Sequence, residues 1–192
     1  NSKLFNLINV HYNTGRKKPN QSPSESIEQS RATCTGLSII LVDACRSVGV
    51  AARVVGTPLW TNNRGNHTWT EVWDGGWHFT GSDEYNSAGL NRGWFVGAAS
   101  KANKSNWKHS IYATSWKKTG IHFPMVWNVE SKQINAFNVT DRYTGKTKPN
   151  SPEVLNQLGV KFLELNKPEE ALLYLKKASD INGNIATNNS TH

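Results

Sequence analysis

Cys34 lies in Arg31-Ala-Thr-Cys-Thr-Gly-Leu-Ser38, where an apolar helical pattern begins. A thiol at such a position ionises more readily, because backbone N–H groups without helical partners and the helix dipole both favour the thiolate. Downstream, His67 opens the alternating segment His67-Thr-Trp-Thr-Glu-Val-Trp73, and Asp83 and Glu84 follow the hairpin signal Asp74-Gly-Gly76. Thiol, imidazole and carboxylate in this order suit nucleophilic acyl transfer. The imidazole takes the thiol proton, the thiolate attacks a carbonyl, and the acid fixes the ring's orientation and tautomer.

The elements that must hold these groups follow from periodicity. Leu37, Ile40, Leu41, Ala44, Cys45 and Val48 fall on one helical face, which predicts a buried helix from Cys34 to Val48. Thr33 is its expected N-cap, and Gly49 stands where a helix end favours a left-handed residue. Cys45 sits in the apolar stripe and reads as a small core residue. On one helix the two cysteines are separated by ~16 Å, beyond the roughly 7 Å that a disulfide can bridge, so both thiols are expected to be free.

Strands are predicted at Ala52-Arg-Val-Val-Gly-Thr57, at the segment opened by His67 and at Trp77-His-Phe-Thr80, with His78 structural. Aromatic segments at Gly93-Trp-Phe-Val96, Ser110-Ile-Tyr-Ala113 and His122-Phe-Pro-Met-Val-Trp127 read as further strands or ordered cover. A short N-terminal helix is expected at Leu4, Phe5, Leu7, Ile8 and Val10, and a helical turn around residues 25–31. The fold class is therefore α+β, a cysteine-bearing helix packed on an antiparallel sheet, followed by a C-terminal helical hairpin. Residues 1–145 form the main domain and 146–151 a linker. Leu158, Gly159, Phe162, Ala171, Leu175 and Ala178 give 152–183 the spacing of a tetratricopeptide-like hairpin, and the Asn-rich stretch 184–192 is expected to be disordered.

Composition narrows the function. The net charge is +8, but the basic residues are scattered, with short pairs at Lys17-Lys18 and Lys117-Lys118. That is a solvated basic surface rather than a nucleic-acid footprint. There is no apolar run of the roughly 18 residues that a membrane span needs. Neither His-x-x-x-His nor Cys-x-x-Cys spacing occurs, nor a phosphate-binding glycine loop, so no metal or cofactor is expected. The chain begins at Asn1, consistent with a removed leader, and a secreted or periplasmic location is favoured.

Hairpin arithmetic brings an acid to the histidine. If Gly75-Gly76 is a two-residue turn, His67 faces Glu84; if Asp74-Gly75-Gly76 is the loop, His67 faces Asp83. A bulge at Gly81 would break either count.

Cys34-Thr-Gly-Leu-Ser, followed by Val42-Asp-Ala-Cys-Arg-Ser-Val-Gly-Val-Ala-Ala-Arg53, resembles the core of the transglutaminase-like superfamily. His67-Thr-Trp-Thr-Glu-Val-Trp is similar to that family's His-x-Trp-x-Glu-Val motif, and Trp77 to its next-strand tryptophan. The resemblance covers roughly residues 25–100. It implies a papain-like fold and a Cys-His-acid triad, with Cys34 and His67 carried over directly. The family's usual aspartate position is occupied here by Gly81, which leaves Glu84, favoured by the two-residue turn, or Asp83 as the acid. The expected reaction passes through a thioester on Cys34 and hydrolyses peptide-like amides. The alternatives are a protein-glutamine acyltransferase or a non-catalytic binding module on the same scaffold. The Cys34 N–H supplies one oxyanion donor, with Gln21 or Gln29 as candidates for the second. The partners are then a peptide or protein substrate and a protein docking on the C-terminal hairpin.

Overall fold

A computed structural model describes residues 1, 3–145 and 152–188. They form two compact units, Asn1–Trp73 with His78–Gly145, and a second comprising Asp74–Trp77 and the C-terminal helices. The expected linker 146–151 lies outside the described residues.

The first unit opens with α1 (Leu4–Ile8), β1 (His11–Tyr12), α2 (Pro23–Gln29) and β2 (Arg31–Ala32). Ser22 and Glu25 make a reciprocal capping box that starts α2 behind Pro23. Strand β1 pairs in parallel with β2, which leads directly into α3 (Cys34–Ser47). Beyond α3, Gly49 takes φ +80° and turns the chain into β3 (Ala52–Thr57). The remaining strands are β4 (His67–Trp73), β5 (Trp77–Thr80), β6 (Tyr112–Ser115) and β7 (Asn135–Asn138). The order across the antiparallel sheet is β5-β4-β3-β6-β7. Short helices α4 (Val96–Ala99) and α5 (Thr140–Tyr143) complete the unit. The α+β architecture with a cysteine-bearing helix on an antiparallel sheet is the one the periodicity predicts.

Several local expectations differ. Residues 93–96 are not a strand: the chain turns there into α4, and Phe95 fills the core. Residues 122–127 are ordered cover rather than a strand: His122 bridges to Asn135 and Phe123 is buried with Tyr112 and Ala136, while β7, polar at both ends, is the strand that extends the sheet. Sheet pairing and burial on one face override the local aromatic signal.

Strand β4 alternates between two environments. Trp69 packs with Val55, Phe95 and Ile111 in the larger core, and Glu71, 1% exposed, lies two residues further along the strand. Thr68 and Thr70, of opposite parity, bond to groups of α3 and of the segment after β5. Glu71 accepts from Arg53 Nε at 2.7 Å, Arg142 Nη1 at 2.9 Å and the Tyr143 hydroxyl at 2.7 Å. Tyr143 in turn accepts from Trp69 Nε1 at 2.8 Å. Burial raises the Glu71 pKa, but the two arginines and these hydrogen bonds outweigh it and hold the carboxyl below its ordinary value. The Tyr143 phenol, buried beside that carboxylate, is raised well above its ordinary value.

Gly56 permits the close approach of β3 to the first turns of β4. A Cβ there would sit 2.8 Å from the His67 carbonyl oxygen. In the second unit, α6 (Pro152–Glu164) and α7 (Pro168–Asn188) are joined by residues 165–167. Gly159 lies against Leu175, and the Phe162 and Tyr174 rings stack at 5.2 Å. Helix α7 continues to Asn188, so the stretch expected to be disordered from 184 is helical that far; residues 189–192 lie outside the described part.

The Glu71 cluster yields a stability prediction. Glu71→Ala removes the carboxylate shared by the buried Arg53 and the half-buried Arg142 and is expected to cost about 3–5 kcal/mol of unfolding free energy. Denaturant unfolding at neutral pH checks this; a change below about 1 kcal/mol, within the range of an exposed ion pair, would contradict it.

Candidate active site

Helix α3 is held to the sheet through hydroxyl groups as well as apolar contacts. Thr35 Oγ1 lies 3.1 Å from Thr68 Oγ1, and Ser38 Oγ lies 3.2 Å from Ser82 Oγ, which also contacts Thr70. These buried contacts fix the helix along its axis, while Leu37, Ile40 and Leu41 pack on Phe5, Val10 and Ala32. Apolar contacts alone tolerate sliding; buried hydroxyl pairs do not, because misplacement leaves them unsatisfied. Thr33 is the N-cap residue, but its side chain bonds no helix N–H; its Oγ1 accepts from Arg16 Nε at 3.2 Å.

The helix thereby brings its first residue to the first residue of β4. Cys34 is half-buried and free, and its thiol interacts with the His67 ring. Burial pushes the Cys34 pKa up, but His67, the Thr68 backbone and the Thr35 hydroxyl outweigh it and hold the thiol below its ordinary value. His67 is 5% exposed; burial pulls its pKa down, while contacts with Cys34 and Glu84 outweigh it and raise it. The two shifts describe one event, favouring a thiolate beside an imidazolium. Cys45 lies within α3, half-buried against the Phe5 cluster, and burial raises its pKa.

Glu84 reaches His67 from a turn rather than a paired strand. Strand β5 ends at Thr80, so neither hairpin register continues to 83 or 84. Nevertheless Glu84 Oε1 lies 3.2 Å from His67 Nε2. The carboxylate stands off the ring N–H direction, so this is a close electrostatic contact and not an aligned hydrogen bond. The turn is tight at Gly81, where a Cβ would sit 2.7 Å from the Glu84 carbonyl oxygen. A side chain at 81 would force that turn open, so glycine there lets the chain fold back and bring Glu84 to His67.

Asp83 points elsewhere. Its carboxylate lies 3.1 Å from His11 Nδ1 and accepts from the Tyr12 backbone N–H at 3.3 Å, joining the turn to β1. The Asn1 side chain donates to the carbonyls of Gly81 and Ser82 at 2.9 and 3.1 Å. The amides of the two glutamines are also engaged. Gln21 Nε2 donates to Ser26 Oγ and the Arg31 carbonyl, and Gln29 Nε2 donates to the Glu25 carbonyl. Both glutamines also accept from the Lys17 N–H, so they brace residues 17–31.

Two aromatic residues at the site were not picked out by sequence reasoning. Trp94 Nε1 donates to Glu84 Oε2 at 2.6 Å, and its ring lies 4.7 Å from that of His67. Trp94 is 63% exposed and Glu84 is exposed as well, so this contact lies at the solvent edge of the site. Tyr12 lines a cavity of about 90 Å³ with Cys34, Leu37, Thr68, Ser82, Asp83 and Glu84. Both lie outside the motifs that spacing reveals.

A cysteine-first helix on an antiparallel sheet, with a histidine at the head of the adjoining strand and an acid beside it, is a papain-like arrangement. Residues 2–83 match the family model of the transglutaminase-like superfamily, and this part of the chain is a transglutaminase-like domain. The match includes Cys34 and His67 and ends one residue before Glu84. That superfamily consists broadly of papain-like, cysteine-dependent enzymes. No curated protein matches the chain.

The opposed pKa shifts predict that iodoacetamide alkylates Cys34 well before Cys45, with substantial reaction at pH values below the ordinary thiol range of about 8.5. Peptide mass spectrometry across a pH series measures this; equal and slow modification of both cysteines would contradict it.

Proposed function

We propose that this protein is a cysteine-dependent amidohydrolase that cleaves peptide-like amides through a thioester on Cys34. The observation that carries the proposal is a helix-first thiol interacting with a buried imidazole that also meets Glu84. In this reading Cys34 is the nucleophile, His67 the proton carrier and Glu84 the group that orients and charges His67. The thiolate adds to the carbonyl, His67 delivers its proton to the leaving amine, and a thioester remains. Water deprotonated by His67 then attacks the thioester and releases the acid, restoring the thiol–imidazole pair. Trp94 supports Glu84 through its N–H.

For the oxyanion, the Cys34 N–H is one donor, since the first residue of a helix has no intrahelical acceptor. The second donor we assign is the Tyr12 hydroxyl. Thr68 and Ser82, the other hydroxyls lining the cavity, are already paired with Thr35 and Ser38.

Incubation with an activated peptide ester should add an acyl mass to Cys34, detectable by rapid-quench intact mass spectrometry and absent in Cys34→Ala. Glu84→Gln should slow acylation by about 10²-fold or more, whereas Asp83→Asn should cost less than about tenfold. The reverse ranking would move the orienting role to Asp83, and no acyl adduct on wild-type protein would remove the catalytic reading. Tyr12→Phe should lower kcat by about 10²-fold with little change in KM; a loss confined to KM would make Tyr12 a binding residue only.

A further inference from the structure

Glu84 stands where regular structure has ended. Strand β5 stops at Thr80 and Glu84 is exposed, so neither a sheet ladder nor a core holds its carboxylate against His67. The Trp94 N–H that bonds it comes from a ring that is itself 63% exposed. Ser82 anchors the turn to Ser38 and Thr70. Between that anchor and Glu84 lies Asp83, half-buried, with both carboxylate oxygens engaged. Its Oδ1 and Oδ2 lie 3.2 and 3.1 Å from His11 Nδ1, and Oδ2 also accepts from the Tyr12 N–H at 3.3 Å. An ionised carboxylate only accepts, so His11 Nδ1 carries the proton in this contact.

These contacts close a ring around the cavity at Cys34. Tyr12 pairs with Ala32 across β1 and β2, and Ala32 stands two residues before Cys34. Tyr12 bonds Asp83, Asp83 leads into Glu84, Glu84 meets His67, and His67 interacts with Cys34. Tyr12, Asp83 and Glu84 all line the cavity. An exposed ion pair adds little to stability. The place of the His11–Asp83 pair in this ring, rather than its strength, gives it a consequence.

We propose that His11 and Asp83 are a positioning pair: by fixing the turn to β1, they set the place of the Glu84 carboxylate against His67. This rests on the reading of Glu84 as the group that orients and charges His67. Neither residue of the pair takes part in proton transfer.

Histidine NMR on the full-length Cys34→Ala protein follows the ionisation of His67 without the coupled thiol, and adding His67→Ala identifies its signal. Glu84 is then the remaining charged group acting on that ring. Glu84→Gln should lower the midpoint by about 0.5 pH unit or more, because an adjacent carboxylate favours the imidazolium. Asp83→Ala and His11→Ala should each lower it by a smaller amount, and neither should lower it further in Glu84→Gln protein. Asp83→Asn should stay close to the Cys34→Ala midpoint, since its amide oxygen still accepts from both N–H groups. The sign for His11→Ala separates position from charge. Removing a cation would by itself raise the midpoint or leave it, whereas releasing Glu84 lowers it. With Cys34 present, His11→Ala and Asp83→Ala should each slow acylation by the activated peptide ester about tenfold, and Asp83→Asn less. A midpoint unmoved or raised by His11→Ala overturns the proposal. So does a shift with Asp83→Ala that persists undiminished in Glu84→Gln protein, which would make it the direct field of Asp83. If Glu84→Gln itself leaves the midpoint unchanged, the orienting role of Glu84 fails and this proposal with it.

Discussion

The docking of α3 against β4 through paired hydroxyls is the constraint on which the rest of the site depends. Thr35 meets Thr68, and Ser38 meets Ser82, one helical turn apart. Sliding the helix by one residue, about 1.5 Å, would separate both pairs and carry Cys34 away from His67. The apolar face of α3 supplies the driving force for packing, and the hydroxyls select a single position within it. Ser82 also ties the segment carrying Glu84 to the helix, so one seam positions all three groups.

A second constraint stiffens β4 from its other face. His67, Trp69 and Glu71 alternate along the strand, and Glu71 is locked by Arg53, Arg142 and Tyr143. Trp69 bonds Tyr143 and packs on Phe95, which lies 5.0 Å from the His67 ring. The motif residues after His67 thus act as its foundation. The local electrostatics are divided: the Glu71 charge is neutralised by buried arginines, while Glu84 faces His67 from a half-exposed turn.

What the sequence made legible follows from periodic signals. The 3.6-residue spacing from Leu37 to Val48 placed α3, and alternation after His67 placed β4, so Cys34 and His67 could be named together. The acid was harder to place because the hairpin count assumes continued pairing, and β5 stops at Thr80. Glu84 still reaches the histidine, through a turn whose geometry depends on Gly81. Glutamine chemistry alone could not reveal that the amides of Gln21 and Gln29 are bonded within the segment before α3. Trp94 and Tyr12 were invisible for a related reason. They arrive through an irregular loop and a two-residue strand, neither of which has a period.

The central claim is that Cys34 and His67 form a coupled thiol–imidazole pair. Its most direct measurement is the ultraviolet thiolate absorbance of the Cys45→Ala protein titrated with acid and base, alongside the same protein carrying His67→Ala. The account predicts that Cys34 ionises below the ordinary thiol range and that this ionisation moves upward when the imidazole is removed. A Cys34 titration in the ordinary range, unmoved by His67→Ala, would contradict it.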